Sequence, residues 1–336
     1  MTGYSQRPLR IGLVGAGWVT QHHLAGWQAL SGQAEVVAIA DPNADAARQR
    51  AQAFGIAAVF DSAEHMFDAT PLDAVDIAAP REFHAPLVRL AAARGLAVLC
   101  QKPLASTLDE ARCLVADLDG RTRLMVHENW RFRPYYRDAE QWIREGAVGE
   151  IVQTQMTLYS SGLVPDAQGQ LPALARQPFI ATLSRALVTE ILIHHIDALR
   201  FLLGDLALLH ARLGRASPAM RGEDRAFLAL QTRSGAPVSL MANLAVHGRP
   251  PALADRLTLV GTRGTIELES NALRCHGAQE RELTYDMAAA YQQSYTGTLS
   301  HFVHCLANGL PFETNPIDNL KTLELVEHAY AGTSSG

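Results

Sequence analysis

Lysine is nearly absent from this chain, and one of the two it keeps stands where a strand should end. Lys and Arg total 29, yet only Lys102 and Lys321 are lysines. Lys102 follows the apolar run Leu96–Cys100 and Gln101, and precedes Pro103. Arginine does not lose its proton in a protein. A partly buried lysine can shift its pKa, donate through a compact ammonium and take part in proton transfer. Lys102 is therefore a candidate catalytic group; the plainer readings are chance, or a lysine paired with a nearby carboxylate.

A second set of reactive side chains lies in Glu190-Ile191-Leu192-Ile193-His194-His195-Ile196-Asp197. At helical spacing Glu190 and His194 share a face, and Asp197 continues it. An imidazole flanked by carboxylates is an oriented general base with a pKa near neutrality. A lone histidine among apolar residues is more often a core residue, but two carboxylates on its own face argue for function. His195 points elsewhere and reads as structural. His-x-x-Asp after a glutamate also admits a metal site. No other His/Cys cluster has ligand spacing and Lys102 would repel a divalent ion, so no metal is expected.

A third set binds rather than reacts. Gly15-Ala16-Gly17-Trp18-Val19-Thr20 follows the first apolar run and opens a helical pattern. Two glycines there permit a tight turn and close approach of a pyrophosphate to a helix N-terminus. Thr20 stands where a third glycine is usual. Asp41, at the end of the second apolar run, is placed to accept from a ribose 2′-hydroxyl and to repel a 2′-phosphate, so NAD is expected over NADP. Asp41-Pro42-Asn43 equally suits the cap of the following helix; one carboxylate can do both.

The elements that would position these groups fall into two series. Ile11–Val14, Val36–Ala40, Ala74–Ala79, Ala97–Cys100 and Leu124–Val126 read as buried strands, separated by helical patterns at 43–54, 83–94 and 107–118. That alternation predicts a doubly wound parallel sheet, a Rossmann domain, over 1–128. Residues 129–336 predict an α+β second domain with a mostly antiparallel sheet. Its strands are expected at 150–159, 206–213, 225–233, 237–245, 256–261 and 264–269, with helices at 134–145, 187–203, 294–308 and 317–330. The non-periodic stretch 160–180 reads as a functional loop over the cleft.

Composition excludes several function classes. A net charge of −5 gives no basic footprint for nucleic acid or membrane. Cys100, Cys113, Cys275 and Cys305 are scattered without a C-x-x-C, so neither a zinc site nor a disulfide framework is indicated. Met1–Arg10 lacks the apolar core of a signal peptide, and no apolar run could span a bilayer. A cytoplasmic protein is expected.

Gly15-Ala16-Gly17, Gln101-Lys102-Pro103, Asn129-Trp130-Arg131-Phe132 and Glu190-x-x-x-His194-x-x-Asp197 occur in that order. Together they resemble the glucose-fructose oxidoreductase, inositol dehydrogenase and rhizopine-catabolism (Gfo/Idh/MocA) family, over about residues 8 to 330. Cys100–Pro103 with His127–Phe132 looks most like its subgroup of D-apiose dehydrogenase-like enzymes. The resemblance implies a Rossmann domain followed by an α/β domain on an open sheet, oxidation of a sugar or cyclitol hydroxyl with NAD(P), and dimers or tetramers formed through that sheet. It also implies that Lys102 and His194 are catalytic, with Glu190 in place of the usual aspartate beside the histidine. Gly15, Gly17, Trp18, Val19, Asp41, Pro80, His84, Lys102 and Arg131 would contact the dinucleotide. Lys102, Asn129, Arg131, Glu190, His194 and Asp197 would face the substrate.

Two departures stand out. Gln101 replaces the common glutamate and removes a charge beside Lys102; Glu190 is one methylene longer than aspartate. The expected reaction is oxidation of a sugar-like hydroxyl, with His194 taking the proton and Lys102 holding the oxygen. Reduction of a sugar ketone or aldehyde would use the same residues. A catalytically silent dinucleotide sensor is the rival of another class, and would be expected to have lost Lys102 or His194.

Overall fold

The computed structural model describes residues 7–332, so the first six residues of the Met1–Arg10 segment lie outside the described residues. Six strands, β1 (Leu9–Val14), β2 (Ala34–Ala40), β3 (Ala58–Phe60), β4 (Ala74–Ile77), β5 (Ala97–Gln101) and β6 (Leu124–His127), alternate with helices. These are α1 (Thr20–Ala29), α2 (Ala44–Phe54), α3 (Ala63–Ala69), α4 (His84–Ala92) and α5 (Leu108–Leu118). All strand pairs are parallel, in the order β3-β2-β1-β4-β5-β6. The chain reverses its direction of winding between β1 and β4, the switch point where open α/β sheets bind ligands. β4 and β5 are buried along their whole length, including the polar Asp76 and Gln101 within otherwise apolar runs.

Local chemistry sets the helix limits. Asn43 and Thr107 accept from the main-chain N–H groups of Ala46 and Glu110 at the starts of α2 and α5. Gly55 ends α2 at φ 71°, a left-handed position that favours glycine.

The next elements are α6 (Pro134–Arg144), β7 (Ile151–Tyr159), α7 (Pro172–Arg176) and α8 (Ile193–Leu203). Strands β8 (Leu206–Gly214), β9 (Arg225–Thr232), β10 (Pro237–Asn243), β11 (Asp255–Gly261), β12 (Gly264–Glu269), β13 (Ala272–Gly277) and β14 (Arg281–Thr284) follow. With β7 they form an eight-stranded sheet in the order β14-β13-β12-β11-β7-β10-β9-β8. β7 and β10 pair in parallel and the other pairs are antiparallel. Buried and more exposed residues alternate along β9 and β10, so one sheet face is core and the other is not. The chain closes with α9 (Met287–Asn308) and α10 (Pro316–Ala331).

Compactness divides the chain differently from the expected cut at residue 128. One unit comprises Met1–Arg133 with Ala288–Lys321; the other comprises Pro134–Met287 with Thr322–Gly336. The reason is apolar: Leu299, Phe302, Val303 and Leu306 of α9 share a core with Leu9, Ile11, Trp27 and Leu99 of the parallel-sheet unit. β13 and β14 escaped the sequence reading because β14 is short and charged, Arg281-Glu282-Leu283-Thr284, without alternation. The stretch 160–180 contains α7 and the start of a 3₁₀ turn at Pro178–Thr182 rather than irregular chain alone.

Candidate functional site

In the first unit the candidate residues gather at the carboxyl ends of the parallel strands. Gly15 follows β1, Asp41 follows β2, Pro80 lies just past β4, Lys102 follows β5, and Asn129 and Arg131 follow β6. Strand register aligns these ends: Val14 pairs with Ala40 and with Ile77, Ile77 with Cys100, and Gln101 with His127.

The turn after β1 is shaped for a phosphate. Gly15 has φ 107°, and a Cβ there would stand 2.5 Å from the Ala78 carbonyl oxygen, so only glycine fits. A Cβ at Gly17 would meet nothing within 4 Å, which leaves open space where a ligand could approach the main chain. Thr20, in place of the third glycine, donates its hydroxyl to the Gly17 carbonyl at 2.7 Å, and it is fully buried. α1 then begins with no acidic residue in its first turn and no side-chain cap, so its N–H groups remain suited to an anion.

Asp41 holds this turn. One carboxylate oxygen accepts from the Ala16 N–H at 2.7 Å and the other from the Asn43 N–H at 2.7 Å. Each oxygen keeps a further lone pair. Trp18 and Val19 lie in the same turn, Trp18 being 47% exposed with its ring edge-on to His22. Arg50, which the sequence reading overlooked, donates to the Gly17 carbonyl at 3.1 Å and puts a positive charge beside the turn. Neither periodicity nor spacing marks that arginine among its neighbours on α2.

Three expected contacts take other parts. His84 is 1% exposed, with its ring nitrogens 2.7 Å from the Pro103 carbonyl and 2.8 Å from the Ala79 carbonyl. It ties the turn after β4 to the turn carrying Lys102. Burial pushes its pKa below the ordinary value, against the carbonyls and Glu82, which favour the charged form. Asn129 donates to Ser294 Oγ at 2.8 Å. Arg131 is 5% exposed and bonds Asp318 at 2.9 Å and the Glu313 carbonyl at 3.3 Å. Both brace the loop after β6. Pro80 is exposed and Lys102 half-buried.

The second unit carries Glu190, His194 and Asp197. Val188–Leu192 forms a π-helical turn directly before α8: the Ile193 N–H reaches the Val188 carbonyl, five residues back. π turns break the regular face of a helix and occur often at functional sites. Glu190 is half-buried and His194 is 8% exposed. Asp197, expected to face the substrate, is fully buried and accepts from Thr322 Oγ1 at 3.3 Å. α8 is buried nearly all round, so continuing His194's face leads into packing rather than to solvent.

Two anchors hold this helix. Glu223 accepts at Oε1 from the Ala186 and Val188 N–H groups at 3.1 and 3.0 Å, and from the Tyr330 hydroxyl at 2.6 Å. His195 is buried with Nε2 2.8 Å from Asp255 Oδ1 and Nδ1 3.1 Å from the Ile191 carbonyl. The Tyr136 hydroxyl donates to the other Asp255 oxygen at 2.8 Å. Sequence alone gave no sign of Glu223, which lies in another element. A cavity of about 190 Å³ borders the same helix at Ile191, lined also by Leu163, Arg176, Ile180 and Leu244. Among the described residues no group of three or more His, Cys, Asp or Glu side chains could hold a metal ion. No helix among them is long and apolar enough to cross a membrane.

A parallel sheet wound as a Rossmann fold, with a phosphate-shaped turn after its first strand and a lysine at the end of its fifth, defines a dinucleotide-binding oxidoreductase. The chain belongs to the Gfo/Idh/MocA family. Residues 9–128 match its oxidoreductase family model with an NAD-binding Rossmann fold, and residues 136–267 match the GFO/IDH/MocA C-terminal domain. The chain is 34% identical to D-apiose dehydrogenase of Paraburkholderia graminis, over 96% of this chain and 87% of that protein. It is 26% identical to inositol 2-dehydrogenase of Rhizobium meliloti, over 96% of both. An oxidoreductase from Agrobacterium radiobacter, solved in complex with NAD+, L-tartaric acid and magnesium, superposes with a TM-score of 0.89 at 29% identity, covering 96% of each chain.

Proposed function

We propose that the protein oxidises a hydroxyl of a sugar or sugar-like polyol, using NAD in preference to NADP. The observation that carries this reading is the row of strand ends that places the phosphate-shaped Gly15–Gly17 turn and Lys102 on one sheet edge. Similarity to apiose and inositol dehydrogenases supports the substrate class.

The turn after β1 and the start of α1 suit the pyrophosphate, and Asp41 suits the adenosine ribose. Its carboxylate has lone pairs left for a 2′-hydroxyl and would repel a 2′-phosphate. When bound, the nicotinamide supplies the hydride acceptor. His194 takes the hydroxyl proton as general base. Lys102 donates a hydrogen bond to the same oxygen and stabilises the negative charge that develops there. Glu190 orients His194 and favours its protonated form. His84, Asn129 and Arg131 hold the loops from which the reactive groups project. Reduction of the corresponding carbonyl uses the same groups in reverse.

Assembly into a homodimer or homotetramer through the second unit's sheet is part of the same reading. Phe227, paired across β9 and β10 with Met241 on the face away from the core, is 38% exposed and supports this reading. Light scattering after gel filtration tests it, and a monomer at working concentration would refute it.

Turnover of a panel of aldoses, cyclitols and sugar acids, D-apiose first, followed by absorbance of reduced nicotinamide, tests the activity. Tight NAD binding without turnover of any member would instead favour a sensor.

A further inference from the structure

Behind Lys102 lies a buried polar chain that the mechanism above does not use. Asp76, on β4, is fully buried and accepts at Oδ2 from Trp27 Nε1 at 2.8 Å; the same oxygen lies 2.8 Å from His23 Nδ1. The opposite nitrogen of His23 is 2.9 Å from the Gln101 amide nitrogen, which also stands 3.3 Å from His127 Nδ1. Gln101 Oε1 accepts from the Lys102 main-chain N–H at 3.0 Å. His23 and His127 stack at 4.3 Å, and both are fully buried.

Donor and acceptor counting leaves one arrangement. The Lys102 N–H can only donate, so the amide oxygen of Gln101 must face it, and the NH₂ must face the two imidazoles. An amide turned the other way would set NH₂ against N–H. His23 therefore presents a lone pair at Nε2 and carries its proton on Nδ1, where the Asp76 carboxylate accepts it. Both ring nitrogens of His23 and both ends of the Gln101 amide then meet their complements. Glutamate at position 101 could accept from Lys102 but could donate to neither histidine.

We propose that Asp76, His23 and Gln101 form a positioning relay that fixes the main chain of Lys102, and that position 101 must be an amide because the relay needs a donor there. The assignment of Lys102 to catalysis rests on the function proposed above; the hydrogen-bond order of the relay does not. Gln101 is a positioning residue: it reaches the reaction only through the geometry of Lys102. A glutamate at 101 would require His23 to hold a second proton on Nε2. The Asp76 carboxylate and the stacked His127 ring face His23. Tyr295 also faces it edge-on, with its hydroxyl kept neutral by burial, and His22 adjoins it in the chain with a pKa lowered by burial.

Two measurements test the relay. In the unmodified protein, nitrogen-15 spectra of the histidine rings, assigned by the signals lost in His23→Phe, should show His23 protonated at Nδ1 and bare at Nε2. The reverse tautomer would overturn the proposal, whatever the enzyme turns over. In Gln101→Glu, kcat should fall about ten- to a hundredfold, the scale of a small misplacement of a reacting group, with the KM values for sugar and NAD little changed. A Gln101→Glu enzyme with wild-type kcat refutes the need for a donor. Lys102→Ala, run alongside, separates the two ideas: full activity there sinks the role given to the lysine while leaving the tautomer result standing. Should Gln101→Glu fail to fold, the tautomer of the unmodified protein decides.

Discussion

The two units carry their reactive groups on different kinds of support. In the parallel-sheet unit most candidates lie on turns or loops beyond strand ends, and side chains brace several of these turns: Asp41 on Ala16, His84 on Pro103, Gln101 on Lys102. In the second unit Glu190 and His194 lie on a continuous helix, held at its start by Glu223 and in its body by His195 and Asp255. A loop needs an external brace for each functional residue, whereas a helix needs only its ends and register secured. Substitutions in the first unit should therefore act locally on one step. Substitutions of the helix anchors should act on stability.

The sharpest contrast lies in the lysine. Lys102→Ala should lower kcat/KM by about a hundredfold or more, the scale of removing one oriented proton-transfer or electrostatic group, with NAD binding and the melting temperature nearly unchanged. Lys102→Arg should recover little of this, because a guanidinium is larger and does not release its proton. Near-wild-type activity in the arginine variant would show that the compact ammonium is not what the site needs.

Adjacent histidines separate chemistry from anchoring on the helix itself. His194→Asn should abolish the limb of kcat/KM that rises with pH, since a general base works only when deprotonated. His195→Leu should leave that limb in place and destabilise the fold by about 3–5 kcal/mol, the cost of leaving the Asp255 carboxylate buried without its partner. pH–rate profiles and denaturant melts of both variants read the two effects. An exchange of the two outcomes would mean the helix register is wrong.

A smaller effect is expected at the adenosine end. Asp41→Ala removes two main-chain hydrogen bonds and the charge that would repel a 2′-phosphate. The ratio of kcat/KM with NAD to that with NADP should fall about tenfold or more, equivalent to roughly 1.4 kcal/mol. An unchanged ratio would leave Asp41 as a brace of the turn alone.

The smallest effect is on stability against pH. His22 and His84 both have pKa values lowered chiefly by burial. An unfolded chain binds protons at these histidines near about pH 6.5, where the folded protein does not. Their contribution to stability is thus full above that pH and is lost as pH falls towards the lowered folded-state values. Chemical melts between neutral and mildly acidic pH should show this decline, and His84→Gln should make it shallower.

Much of the first unit was legible in the residues themselves. The apolar runs marked five of the six strands of the parallel sheet, and Lys102 and the Gly15–Gly17 turn could be set at strand ends because unbroken apolar segments finish just before them. β3 was missed because three residues cannot display a period. In the second unit the helical spacing of Glu190 and His194 was visible, but the full burial of Asp197 was not. Spacing gives the angle around a helix and cannot say which neighbours cover that angle.

What the sequence determined by itself was therefore local: period, turn chemistry and the order of the motifs, each set by residues close together in the chain. Tertiary structure decided the rest. It grouped α9 with the parallel sheet, buried Asp197 against Thr322, turned His84, Asn129 and Arg131 into braces, and brought His23 and Asp76 behind Gln101. Each of those outcomes joins residues far apart in sequence through burial and hydrogen bonding, and no local pattern records which distant donor a buried acceptor will meet.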